Sequence, residues 1–251
     1  MRIIADLHCH SIASTHAFST VDELCAAAAR RGLAAVALTD HAPALPDSPH
    51  EWHFALMGRL PPLIHGVRLL SGAEFNVTDG LGTLDLPEKL AASLDYTVAA
   101  MHADCFPPSA AGAHTEAWLA MARNPLVDCL GHPARAQYPF DIDAVVRACR
   151  DTGTLIELNE SVLRRKPENA AFARDIMLAC RGYGAQIAVA SDAHTAYELG
   201  DCRRALQMLN DIDFPRELVV NSDIETLREY FLRRKHKDIF PDGGDESVYW
   251  D

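Results

Sequence analysis

Arg2-Ile3-Ile4-Ala5-Asp6-Leu7-His8-Cys9-His10 opens the chain, and its reading decides the fold. An apolar run of strand length ends in two histidines placed two apart. On an extended backbone His8 and His10 share one side while Cys9 faces the other. Two imidazoles on one face at a strand end form a bidentate metal clip. The same event, an apolar run and then a polar donor, recurs along the chain. Thr39-Asp40-His41 follows the run 35–38, Glu74 ends the run 68–73, and His102 ends the run 96–101. His132-Pro133 follows 127–131, and Ser191-Asp192-Ala193-His194 follows 186–190. Strands that each deliver a donor to one rim describe a barrel with a metal centre. A multinuclear metallohydrolase is the first expectation.

Helix signals separate these runs. Thr20-Val21-Asp22-Glu23 reads as a capping box opening an Ala-rich helix that Arg30-Arg31-Gly32 closes. Residues 141–151 read as a helix with Gly153 as its stop, and 169–181 as another, before a strand at 186–191. Ser222-Asp223-Ile224-Glu225 reads as a second capping box, opening a helix to about Arg234. Strands alternating with helices imply an α/β fold with a parallel sheet, and seven or eight strand candidates favour a barrel. Residues 42–66 and 105–115 break the pattern and read as loops. Residues 1–237 are expected to form one domain, with 238–251 an acidic, loose tail from which Tyr249-Trp250 could dock.

The chain has 251 residues, 49% hydrophobic and 23% charged, enough for a sizeable core and against wholesale disorder. No apolar run approaches the ~18 residues of a membrane span. Acidic Asp6 interrupts the only stretch resembling a signal peptide, so a cytoplasmic protein is expected. Seven cysteines form no C-x-x-C pair, which disfavours a disulfide framework. A net charge of −12 argues against electrostatic capture of nucleic acid and against a stable nucleic-acid partner. It leaves a small phosphorylated substrate open, because bound divalent metals reverse the charge locally.

Together, His8, His10, His16, His41, Glu74, His102, His132, Asp192 and His194 are too many donors for one ion and suit two or three. Mixed imidazole and carboxylate sets favour zinc, manganese or iron over magnesium or calcium. Asp6-Leu7-His8-Cys9-His10, with His16, resembles the opening of the polymerase and histidinol phosphatase (PHP) family. Thr39-Asp40-His41, Glu74, His102, His132-Pro133 and Ser191-Asp192-Ala193-His194 continue that family's motif series in order. Ala13-Ser14-Thr15-His16, Trp52-His53-Phe54 and Asp192-Ala193-His194-Thr195-Ala196 look like its YcdX-type phosphatase branch. The resemblance implies a distorted (β/α)7, TIM-like barrel with a trinuclear centre, usually zinc, at the C-terminal strand ends. By matching position, His8, His10, Glu74 and Asp192 would hold one ion. Glu74, His102 and His132 would hold a second, and His16, His41 and His194 a third. It further implies a phosphomonoesterase using a metal-bridging hydroxide, and a homotrimer.

Several residues carry two readings. Asp6 and Asp40 either orient the neighbouring imidazoles or cap turns. His53 either contacts substrate or belongs to a loop in which His50 is solvated and Trp52 packs down. Arg164-Arg165-Lys166 is either a phosphate clamp or a solvated charge run, whereas Arg233-Arg234-Lys235 reads as a structural helix end. With no G-x-S-x-G elbow and no phosphate-binding G-x-x-x-x-G-K loop, serine hydrolases and P-loop enzymes are disfavoured. Three alternatives remain: a phosphodiesterase or exonuclease, a non-catalytic metal-stabilised module, and an amidohydrolase acting on C–N bonds.

Overall fold

The opening run becomes strand β1 (Ala5–Cys9) in the computed structural model, which describes residues 1–240. It leads into α1 (Val21–Arg30), β2 (Ala35–Leu38), α2 (Glu51–Leu56), β3 (Leu63–Ile64), β4 (Val67–Asn76) and α3 (Glu88–Ala91). Next come β5 (Tyr96–Ala100), α4 (Ala111–Arg123), β6 (Cys129–Leu130), α5 (Ile142–Thr152), β7 (Leu155–Asn159) and α6 (Glu160–Arg165). The series ends with α7 (Pro167–Tyr183), β8 (Ile187–Ala190), α8 (Arg203–Asp211) and α9 (Ile224–Lys235). The parallel strands run in the order β1-β2-β4-β5-β6-β7-β8, and short β3 pairs antiparallel with β4. This is the expected (β/α)7 barrel, nearly closed.

Closure between β8 and β1 uses a side chain in place of a ladder. At the C-terminal end, Asp192 N donates to His8 O at 3.0 Å and His10 N to Ala193 O at 2.9 Å. Further down, the buried amide of Asn221 fills the seam. Its Nδ2 donates to Ala5 O (2.8 Å) and Val189 O (2.7 Å), and its Oδ1 accepts Val189 N–H (3.1 Å). The interior below is apolar: Ala5, Leu7, Leu70 and Val98 pack with Leu227, Tyr230 and Phe231 of α9. That helix plugs the bottom of the barrel. Each fully buried side chain of this size contributes about 1.5–3 kcal/mol. The opposite rim is left for polar chemistry.

A bulge in β1 makes both layers possible. β1 advances from Asp6 to Cys9 while β2 advances only from Val36 to Leu38. The extra residue lets Leu7 join the apolar interior and His8, next in sequence, reach the polar layer above it.

The helix signals hold with local corrections. Thr20 and Glu23 form the capping box of α1, and Asp141 caps α5, which Gly153 ends in a left-handed conformation (φ 75°). α7 begins two residues early because Pro167, lacking an N–H, suits its first turn. The cap of α9 is Asp223, whose side chain accepts Thr226 N–H, not Ser222. The 42–66 segment is not a plain loop, since it contains α2 and β3, and α4 shortens the second loop by starting at Ala111. Trp52 does not pack the first segment down; it is 69% exposed. The start of the presumed tail is anchored: Ile239 is buried, and Asp238 pairs with Arg228. The rest of the tail, with Tyr249-Trp250, lies outside the described residues. Among the described residues no helix is long and apolar enough to cross a membrane.

Candidate metal centre

All nine donors read from the sequence meet at the open rim. Glu74, near the end of β4, sits at their centre. Its Oε1 lies 2.8 Å from His132 Nε2, 3.5 Å from His8 Nε2 and 3.6 Å from His102 Nε2. Its Oε2 lies 2.6 Å from His41 Nδ1 and 3.7 Å from His10 Nε2. Asp192 Oδ1 stands 3.3 Å from His10 Nε2 and 3.8 Å from His8 Nε2. Farther out, His16 Nε2 is 2.8 Å from His194 Nε2 and 3.4 Å from His41 Nε2. Three groups have donor atoms mutually close enough for one ion: His8-His10-Glu74, His41-Glu74-His102 and His10-His41-His194.

The backbone is bent to deliver these groups. The chain after β2 runs alongside β4, with Glu74 N donating to Asp40 O (3.0 Å) and Ala42 N to Glu74 O (2.9 Å), which sets His41 beside Glu74. His132 and Asp192 adopt positive φ, 32° and 55°, a conformation that non-glycine residues avoid. Before His132, Gly131 approaches β5 so closely that a Cβ would lie 2.5 Å from Val98 Cγ1.

Partners absent from the sequence reading hold the imidazoles in place. Glu157 Oε1 accepts His8 Nδ1–H at 2.7 Å, and its Oε2 accepts His132 N–H at 2.6 Å. Asn76 Oδ1 accepts His102 Nδ1–H at 2.7 Å, while its Nδ2 donates to Ala42 O and Asp85, fixing the amide's orientation. Asp47 pairs with His16 Nδ1, and Asn159 Nδ2 donates to Asp192 Oδ2 at 3.3 Å. In His8 and His102 the Nδ1 bond aims Nε2 at Glu74, the arrangement that presents a lone pair to a cation.

Electrostatics divide the imidazoles. Burial, with the charge of His41, pushes His10 down to about 3. Burial likewise lowers His102, His132 and His194. It opposes protonation of His8 and His41 too, but Glu157 and Glu74 at the first and Glu74 at the second raise them. Glu74 and Asp192 are driven up by burial and held well below the ordinary carboxylate range by surrounding histidines. The donors fit a metal by another test. His8 Nε2, His10 Nε2 and His102 Nε2 are sealed from solvent without a hydrogen-bond partner, while His41 Nδ1 and Glu74 Oε2 face only each other, at 2.6 Å. An unpaired buried polar group costs about 1–3 kcal/mol, so a cation bound among these atoms would relieve a concentrated penalty.

The remaining candidates divide. Asp6 accepts Ser191 N–H, Ser191 Oγ–H and Gly200 N–H, and Asp40 accepts from Ser11, Ser14 and His53. Both therefore secure the loops that carry donors and orient no donor imidazole directly. His53 serves Asp40 at 2.9 Å and does not line the cavity above the donors. Arg164 is committed to Glu160, Glu198 and Asp201, whereas Arg165 lines that cavity of about 500 Å³. Arg135, which the sequence reading missed, lines it too, with Nη2 3.4 Å from His132 Nε2. Arg234 and Lys235 pair with buried Asp128, as a structural helix end should.

The PHP domain profile matches residues 6–161. A probable phosphatase of Acetivibrio thermocellus is 40% identical over 241 residues, spanning 94% of this chain and 98% of that one. The chain belongs to the PHP family. A second PHP relative, a probable phosphatase of Caldanaerobacter subterraneus, is 37% identical over 98% of this chain and 97% of its own. Histidinol phosphate phosphatase of Lactococcus lactis, solved with Zn, L-histidinol and phosphate, superposes with a TM-score of 0.60. The match is 15% identical over 86% of this chain and 95% of that one, and it shows a shared fold. Its relatives give this PHP chain its class, a phosphoric-ester hydrolase.

Proposed function

We propose that the chain is a metal-dependent phosphomonoesterase acting on a small ester. Three divalent ions, zinc first and manganese or iron as alternatives, would be held by the nine donors. As the resemblance implies, His8, His10, Glu74 and Asp192 would hold one ion, Glu74, His102 and His132 a second, and His16, His41 and His194 a third. The observation that carries the reading is the set of buried, unpartnered donor atoms around Glu74, at the base of a cavity beside Arg135. When bound, the ions would offset the phosphate charge and acidify an attacking water.

The chain's own residues supply the rest. Glu157 and Asn76 hold His8 and His102 with Nε2 presented inward. Arg135 has Nε without a partner, and its fork suits a phosphate oxygen pair. A cavity of about 500 Å³ suits a small ester, which supports a monoesterase over the exonuclease alternative. All seven cysteines are free thiols, six of them buried, which supports a reducing compartment, the cytoplasm.

Elemental analysis of untagged protein purified without chelator, paired with p-nitrophenyl phosphate turnover, tests the reading. About three metals per chain, with turnover lost on chelation and in His10→Ala, is expected. Bound metal without monoester turnover, or no metal and no turnover after zinc or manganese is added back, would overturn it.

A further inference from the structure

Beside the cavity above the donors lies a second, of about 300 Å³. The two share Arg135, Gln137 and Arg165 as a common wall, and Ala136, Lys166, Glu168 and Asn169 complete the smaller one. The partition is built, not incidental. Buried Asn169 accepts Ala136 N–H at 3.0 Å and donates to Val162 O at 3.2 Å, so one side chain ties the loop bearing Arg135 to the helix bearing Arg165.

Among the described residues, the three cations lining this annex form no ion pair. Among the described residues, Arg135 Nε is sealed from solvent and unpaired, and the only polar contacts of its Nη atoms are 3.4 Å away, at Met101 O and His132 Nε2. Among the described residues, Arg165 hydrogen-bonds only Ser161 Oγ, at 3.4 Å, and Lys166 forms no ion pair. Contrast Arg164, one residue away, which is paired to three acids. The long α7 also begins here, with Lys166 at its cap and no side chain accepting its first amides. One acid, Glu168, faces the same space against three cations. On a chain of net charge −12, a cluster this positive is a local design.

We propose that this annex takes a second anionic group of the substrate. The physiological ester is then a phosphomonoester that also carries a carboxylate or another phosphate. The inference rests on the phosphatase reading for the first phosphate, with Arg135 at the shared wall, and on Arg165 and Lys166 for the second group.

The test uses metal-loaded full-length protein in about 0.15 M salt, where exposed charges are screened beyond roughly 8 Å. Calorimetric binding compares alkylphosphonates with ω-carboxyalkylphosphonates and alkylene bisphosphonates of equal chain length, over spacers from three to six carbons. Wild type is expected to prefer at least one dianionic series at least tenfold, and the arms tell carboxylate from phosphate. That preference should fall to within about twofold in Arg165→Gln/Lys166→Gln, two exposed residues whose one side-chain hydrogen bond among the described residues runs from Arg165 to Ser161. A wild type without preference, a preference surviving in the double variant, or no phosphonate binding at all would overturn the annex. p-Nitrophenyl phosphate turnover is scored separately, so failure of the phosphatase reading appears in turnover and failure of the annex in the binding ratio.

Discussion

Glu157→Gln should damage the centre although Glu157 is not one of the nine donors. Its two oxygens receive three hydrogen-bond donors: His8 Nδ1–H at 2.7 Å, His132 N–H at 2.6 Å and Asn159 Nδ2 at 3.0 Å. A carboxylate matches that environment and an amide cannot. If the glutamine carbonyl faces His132 and Asn159, its NH2 meets His8, which must move its proton to Nε2 in order to accept. The nitrogen 3.5 Å from Glu74 Oε1 then has no lone pair to offer. If the carbonyl faces His8 instead, the NH2 meets two buried donors, each left unpaired at about 1–3 kcal/mol. Either way at least one hydrogen bond to a charged group is lost, worth about 1.5–3 kcal/mol. Side-chain volume is unchanged, so no cavity adds to the loss. Metal-free Glu157→Gln should therefore lose about 2–3 kcal/mol in urea unfolding, with an unchanged slope. Its zinc affinity, read by competition with a chromophoric chelator, should fall about 10–100-fold, as when a partner orienting a metal-bound histidine is removed. Wild-type midpoint and wild-type zinc competition together would refute the claim that Glu157 sets the tautomer of His8.

Two further outcomes are expected. Asn221→Ala would leave Ala5 O, Val189 O and Val189 N–H unpaired in the barrel seam, at a cost of about 2–4 kcal/mol in urea unfolding. A loss below about 0.5 kcal/mol would mean the seam closes without it. Asp40 gives a pH signature. Burial pushes its carboxyl up, but the bonds from His53 and Ser11 hold it below the ordinary value. A depressed folded pKa contributes stability that is present above the unfolded value, about 3.9, and is lost as pH falls through the folded one. The stability gap between wild type and Asp40→Asn should thus be full near pH 6 and shrink towards about pH 3. A gap independent of pH would show that Asp40 acts by shape alone.

The nine donors were legible because a parallel barrel puts every strand's C-terminal end on one rim, so strand-then-donor is a statement about position. Their partners were less so, although two left a trace. Glu157 lies in Leu155-Ile156-Glu157-Leu158-Asn159, a strand buried along its whole length, where a carboxylate must be paired to persist. Asn76 lies two residues after Glu74 on one strand and hence on its face. Neither trace says which histidine is served, because that depends on pairings between distant segments, such as Asn76 with His102. Adjacency misled in the opposite direction. Asp6 is two residues before His8, but the β1 bulge breaks the alternation between them and sends its carboxyl to Ser191 and Gly200. No local pattern announces that bulge; it follows from fitting Leu7 among apolar side chains and His8 against Glu74 at once. Arg135 was hidden for a related reason. Only the turn after His132 brings its guanidinium back over the donors, and no periodicity encodes a turn. What a sequence of this kind withholds is the aim of each donor, and metal affinity depends on aim as much as on the donors themselves.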